Sequence, residues 1–105
     1  MGDGETPGSE RRTSPRDAVF YRTTARLADG ATIALDIVNI SATGLMGRTP
    51  AELEADTRLD IALPQGAGRL ARVAWVMGGR IGAEFLTPIE AQDYAGLLAQ
   101  MPRGD

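Results

Sequence analysis

A chain of 105 residues is sized for one domain with one modest core. Its 43% hydrophobic and 24% charged content is that of an ordinary globular domain, and a net charge of −3 speaks against a protein that grips nucleic acid non-specifically through phosphates. The absence of cysteine and histidine excludes disulfides and thiolate metal sites, and removes the commonest general base and metal ligand.

Residues 1–10 hold Gly2, Gly4, Gly8, Pro7 and three acidic side chains, with nothing apolar after Met1. That composition buries too little surface to offset its ordering entropy, so a disordered tail is expected there. The next segment, Arg11-Arg12-Thr13-Ser14-Pro15-Arg16, is an arginine cluster whose proline biases Ser14 away from the α region. It reads as a loop or extended stretch over residues 11–17. All eleven basic residues of the chain are arginine, a side chain suited to planar anion recognition.

From Ala18 to Leu27 the chain alternates, with Val19, Tyr21, Ala25 and Leu27 on one face and Arg22, Thr24 and Arg26 on the other, as in a half-buried strand. Asp29-Gly30 is a hairpin signal, and a second strand returns from Ile33 to Ser41. Ile33, Leu35 and Ile37 share one parity and Val38 and Ile40 the other, so a bulge or barrel corner is expected near Ile37. Leu45 to Arg48 gives a short third strand, and Pro50 to Ala55 one helical turn.

Arg58 to Leu63 alternates again, and residues 64–68 form a turn. Residues 69–77 and 80–86 form a second hairpin across Gly78-Gly79, with Trp75 and Phe85 most simply core residues and a ring stacking on a ligand the alternative. Thr87-Pro88-Ile89-Glu90 has the form of a capping box with proline at the first helical position. Tyr94, Leu97, Leu98 and Met101 then recur at helical spacing, giving a helix over 87–101 that closes one end of the sheet. Six strands followed by one amphipathic helix make an all-β fold, a small antiparallel barrel over residues 18–86 with a C-terminal helix.

The candidate site is Asn39-Ile40-Ser41-Ala42-Thr43-Gly44. On a strand, Asn39 and Ser41 share a face about 6.6 Å apart, while Ile40 and Val38 point inward. Gly44 allows a positive φ or a close backbone approach. Arg12 and Arg16 lie upstream and can close on the same compact ligand. The bland alternative is a polar turn bonding its own backbone.

Together, R-x-x-x-R (Arg12, Arg16) and N-x-S-x-x-G (Asn39, Ser41, Gly44), 23 residues apart, resemble the PilZ family of bacterial cyclic di-GMP receptors. The likeness covers nearly everything from Arg11 onward, and Trp75, Gly82 and Phe85 resemble that family's closing hairpin. It implies a six-stranded PilZ-type β-barrel that binds cyclic di-GMP through Arg12, Arg16, Asn39, Ser41 and Gly44. Arginine forks match guanine edges and phosphates. Arg11, just before the motif, implies an intercalated pair of ligands. The resemblance further implies an adaptor whose arginine loop orders on binding and signals to an unidentified effector protein.

Ser41 has no histidine to activate it, and no phosphate-loop pattern occurs, so no catalysis is expected. One Trp, two Tyr and two Phe do not form the stacked, basic groove of a single-strand binder. No apolar run reaches 18 residues and no signal-peptide pattern occurs, so a cytoplasmic protein without a membrane span is expected; no cofactor is expected either. The remaining rival is a PilZ-like interaction module that binds no nucleotide.

Overall fold

Apolar–polar alternation builds six strands: β1 (Asp17–Leu27), β2 (Thr32–Ile40), β3 (Gly44–Arg48), β4 (Arg58–Ala62), β5 (Gly68–Met77) and β6 (Arg80–Phe85). A single helix, α1 (Ala91–Ala99), follows them. The computed structural model describes residues 16–64 and 68–103. The strands close into an antiparallel barrel in the order β1-β2-β3-β6-β5-β4. The core lies inside it, built from Leu35, Ile37, Ile40, Leu45, Leu59, Ile61, Val73, Ile81 and their neighbours.

The two expected hairpins are present. Gly78 and Gly79, at φ 57° and 82°, take the left-handed backbone that a two-residue hairpin turn needs, while Gly30, at φ 92°, ends the three-residue loop closed by the Leu27 amide on the Ala31 carbonyl (2.8 Å). The expected phase slip is present as well. Ile37 pairs with Gly47 and Asn39 with Met46, so β2 carries one residue, Val38, that β3 does not match. Ile37 and Ile40 are therefore both buried although three positions apart, and Val38 is only half-buried at the bulge.

Three expectations need correction. Pro50–Ala55 forms no helical turn. Thr49 instead donates its hydroxyl to the Ala34 carbonyl (2.7 Å) and accepts from the Ala51 amide (3.2 Å), tying the segment to β2. The helix begins at Ala91, with Glu90 at the N-cap, rather than at residue 87. The intended capping box is pulled straight because the Ile89 amide bonds the Ala42 carbonyl (2.8 Å) and the Ile89 side chain is buried. Trp75 is 39% exposed, whereas Phe85 is buried as expected. Val73 pairs with Ala83 and Trp75 with Gly82, so a second bulge in β5 turns Trp75 outward. The expected turn at 64–68 falls mostly on residues 65–67, outside the described residues, as do the tail 1–10 and Arg11 and Arg12.

The helix closes the barrel end where β1 begins and β2 stops. Leu97 and Met101 are buried there, with Tyr94 and Leu98 packed beside them. Chain leaving the helix also pairs with β1, through the Phe20 amide on the Pro102 carbonyl (2.9 Å) and a bridge between Val19 and Arg103. Tyr94 Oη donates to Asp17 Oδ2 at 2.5 Å and lies 3.0 Å from the Ile40 carbonyl oxygen. Burial, then the bond to Asp17 and its charge, push the Tyr94 phenol well above its usual value.

A phenol raised by folding contributes stability below its unfolded pKa of about 10 and loses it as pH rises beyond. Tyr94→Phe should therefore cost about 1–2 kcal/mol at neutral pH. Melting curves from pH 8 to 11 should show the gap between the wild type and this variant narrowing above about pH 10.

Candidate ligand-binding site

The outer face over β2, β3, β6 and β5 holds one continuous cross-strand row. Asn39 pairs with Met46, Met46 with Gly82 and Gly82 with Trp75. Both bulges feed this row, one turning Asn39 outward and the other turning Trp75 outward. Gly82 explains how the indole lies there: a Cβ at that position would overlap the ring nitrogen of Trp75. The missing side chain lets the ring lie down on the sheet, leaving part of its face to solvent.

Arg16 enters this row from the chain just before β1. Its Nη1 donates to Asn39 Oδ1 at 2.9 Å, across 23 residues of sequence. Asn39 Nδ2 in turn points at Met46 Sδ, 3.8 Å away. Arg16, Met46, Trp75, Gly82 and Glu84 line a shallow depression of about 110 Å³. Glu84 adds a carboxylate to an otherwise cationic rim, but Arg72 binds it at 2.7 Å while also binding Asp56 at 2.6 Å. Those two bonds, Asp56 first, raise the already high pKa of the Arg72 guanidinium.

Of the six residues singled out in the sequence, the structure brings Arg16 and Asn39 into contact, and Arg11 and Arg12 lie outside the described residues. Ser41 and Gly44 stand differently from the expected open platform. Ser41 is 1% exposed; its Oγ accepts from the Thr43 amide (3.2 Å) and lies 3.4 Å from the Gly44 carbonyl oxygen, so the side chain holds the turn. The Ser41 amide donates to the same carbonyl at 2.8 Å. Gly44 has no positive φ. The close approach it permits is to β6, because a Cβ there would overlap the carbonyl oxygen of Ala83. These two residues set the position of the β2–β3 turn, and with it the end of the strand that carries Asn39.

The sequence pattern marked Trp75 and Gly82 but placed the ring in the core, and it did not single out Met46. Their signal is the cross-strand register, and the W-x(6)-G spacing carries its trace.

These features define a small six-stranded β-barrel, capped by a helix and fronted by an arginine–amide face. The PilZ domain profile matches residues 10–101, and the chain belongs to the PilZ family. A structure described as the PilZ domain with c-di-GMP of YcgR from Escherichia coli superposes with a TM-score of 0.61. It shares 21% identity, over 84% of this chain and 86% of that one, and shows the same fold. No curated protein matches the chain. Among the described residues no helix is long and apolar enough to cross a membrane.

Two glycine substitutions separate scaffold from surface. Gly44→Ala drives a Cβ into backbone that cannot move away, and should cost about 1–3 kcal/mol, or roughly 4–8 °C in Tm per kcal/mol. Gly82→Ala meets a side chain with room to swing outward. It should shift the emission of Trp75, the chain's one tryptophan, with a much smaller change in Tm.

Proposed function

We propose that this protein is a cyclic di-GMP receptor, binding the dinucleotide on the Asn39–Met46–Gly82–Trp75 face beneath the arginines of residues 11–16. The observation that carries this reading is the 2.9 Å bond between Arg16 and Asn39. It joins the two halves of the motif pair on one surface, beside an aromatic ring and a thioether. The chemistry suits the ligand. A guanidinium offers a planar fork to guanine O6 and N7 or to a phosphodiester, and stacks on flat rings. The part-exposed indole and Met46 offer an apolar floor to a base, and Asn39 supplies both a donor and an acceptor. Family membership and the YcgR neighbour, whose PilZ domain is described with c-di-GMP, add support.

In this reading ligand binding draws Arg11 and Arg12 over the face and fixes the segment leading into β1. The ordered segment then presents a changed surface to a partner protein, and the domain acts as a receptor rather than as an enzyme. Ser41 and Gly44 contribute by holding the turn, and need not touch the ligand through their side chains.

Calorimetric titration of the purified protein with cyclic di-GMP tests the reading directly. Arg12→Ala and Arg16→Ala each remove one or two charge-assisted bonds of about 1.5–3 kcal/mol, for a roughly 10- to 150-fold loss of affinity. Neither should unfold the protein, and wild-type affinity in both variants would exclude the site. Stoichiometry turns on Arg11. Two intercalated ligands stack four guanines and gather four phosphodiester charges, so a third guanidinium supplies a stacking plane and charge compensation. Saturation is expected at two ligands per chain, and Arg11→Leu should bring it toward one without abolishing binding.

A further inference from the structure

Two residues farther along the same outer face, Arg48 of β3 pairs directly with Arg80 of β6. Met46 and Gly82 are the adjacent outward positions on those strands, so this pair stands one row, about 6.6–6.8 Å, from the candidate binding face. The row runs Arg22, Asp36, Arg48, Arg80, Met77 across five strands. Arg48 and Arg80 are both exposed. Among the described residues neither has a carboxylate within 4.0 Å. Asp36, the acidic member of the row, lies 3.8 Å from Arg22 Nε on its other side.

Like charges directly opposite on an antiparallel pair destabilise it. Here the cost is taken beside a surface already furnished with Arg16, Asn39 and an exposed ring. A monoanion bridging the two guanidinium groups would cancel the repulsion and receive charge-assisted bonds from each. We propose that Arg48 and Arg80 form a second anion subsite, holding a phosphodiester of the cyclic dinucleotide bound across the Met46–Trp75 row. This rests on the reading above. It adds a contact outside both motifs, at the edge of the face away from the β2–β3 turn. The ligand is then gripped from two ends, by Arg16 near the root of β1 and by the arginine pair toward the Gly78-Gly79 hairpin.

The test is calorimetry with cyclic di-GMP on the wild type, Arg48→Ala/Arg80→Ala, and Arg48→Lys/Arg80→Lys, at two salt concentrations. The alanine pair should bind about 10- to 150-fold more weakly, with a shallower dependence of affinity on salt. The lysine pair keeps the charges without the fork and should recover part of the loss. Tm of the alanine pair without ligand should equal or exceed that of the wild type, because a repulsion has been removed. Wild-type affinity and salt dependence in the alanine pair overturn the subsite alone and leave the receptor reading standing. A wild-type protein that binds no cyclic di-GMP overturns both.

Discussion

The candidate site depends on one extra residue in β2. Ile37 and Ile40 are both fully buried, yet strict alternation would send residues three apart to opposite faces. The Val38 bulge resolves the conflict by resetting the phase, and it aims Asn39 outward beside Met46. Asn39 is then where Arg16 reaches it. A strand without the bulge would bury the amide or expose Ile40, and a register slip of that kind moves every following side chain to the other face. The second bulge, in β5, does the same for Trp75. Core packing on the inside and the layout of the candidate site on the outside are thus decided by the same irregularities.

How much of this was legible in the sequence follows from that point. The strands were legible because most alternate over five or more residues, and the hairpins because Asp29-Gly30 and Gly78-Gly79 carry their own turn chemistry. The β2 bulge was legible too, since apolar residues of both parities sit within Ile33–Ile40. The β5 bulge was not. Ala71, Val73 and Trp75 keep one parity in sequence, so alternation assigned the ring to the core. Only the pairing of Trp75 with Gly82 shows that the register shifts. The capping box at Thr87 misled for a related reason. Local propensity favoured a helix start, but the bond from Ile89 to Ala42 and the burial of Ile89 outweighed it. The pairing of Arg16 with Asn39 agrees with the motif spacing, while the roles of Ser41 and Gly44 needed atomic positions.

Those two residues show how one motif serves both scaffold and surface. Gly44 is required by the carbonyl of Ala83, and Ser41 by the amide of Thr43. The turn they build is held from outside as well, by the Phe85 amide on the Thr43 carbonyl (2.9 Å) and by Ile89 on Ala42. The helix that follows reaches back to the same end of β2 through Tyr94, which touches both the Ile40 carbonyl and Asp17. Asp17 is the neighbour of Arg16. The root of the arginine segment, the end of β2 and the C-terminal helix therefore meet at one corner, and displacement of Arg16 would strain bonds shared by all three.

Net charge is a poor guide to what such a face attracts. The chain is acidic overall, but screening confines an exposed charge to about 8–10 Å at ordinary ionic strength. Within that distance the relevant carboxylates are already engaged: Glu84 and Asp56 by Arg72, and Asp36 by Arg22. Arg16 spends a donor on a neutral amide, which leaves its charge uncompensated by that contact. Glu84 and Asp56 share the one guanidinium of Arg72, while among the described residues Arg48 and Arg80 make no ion pair, so the cationic character of the face is local to where those arginines stand. On the reading proposed above, a compact dianion with two flat bases would meet guanidinium forks, an indole and a thioether there. A long polyanion passing over the rest of the barrel meets a surface whose sum is negative. In that reading the placement of the arginines, rather than their number, would favour a small dianion over a long polyanion.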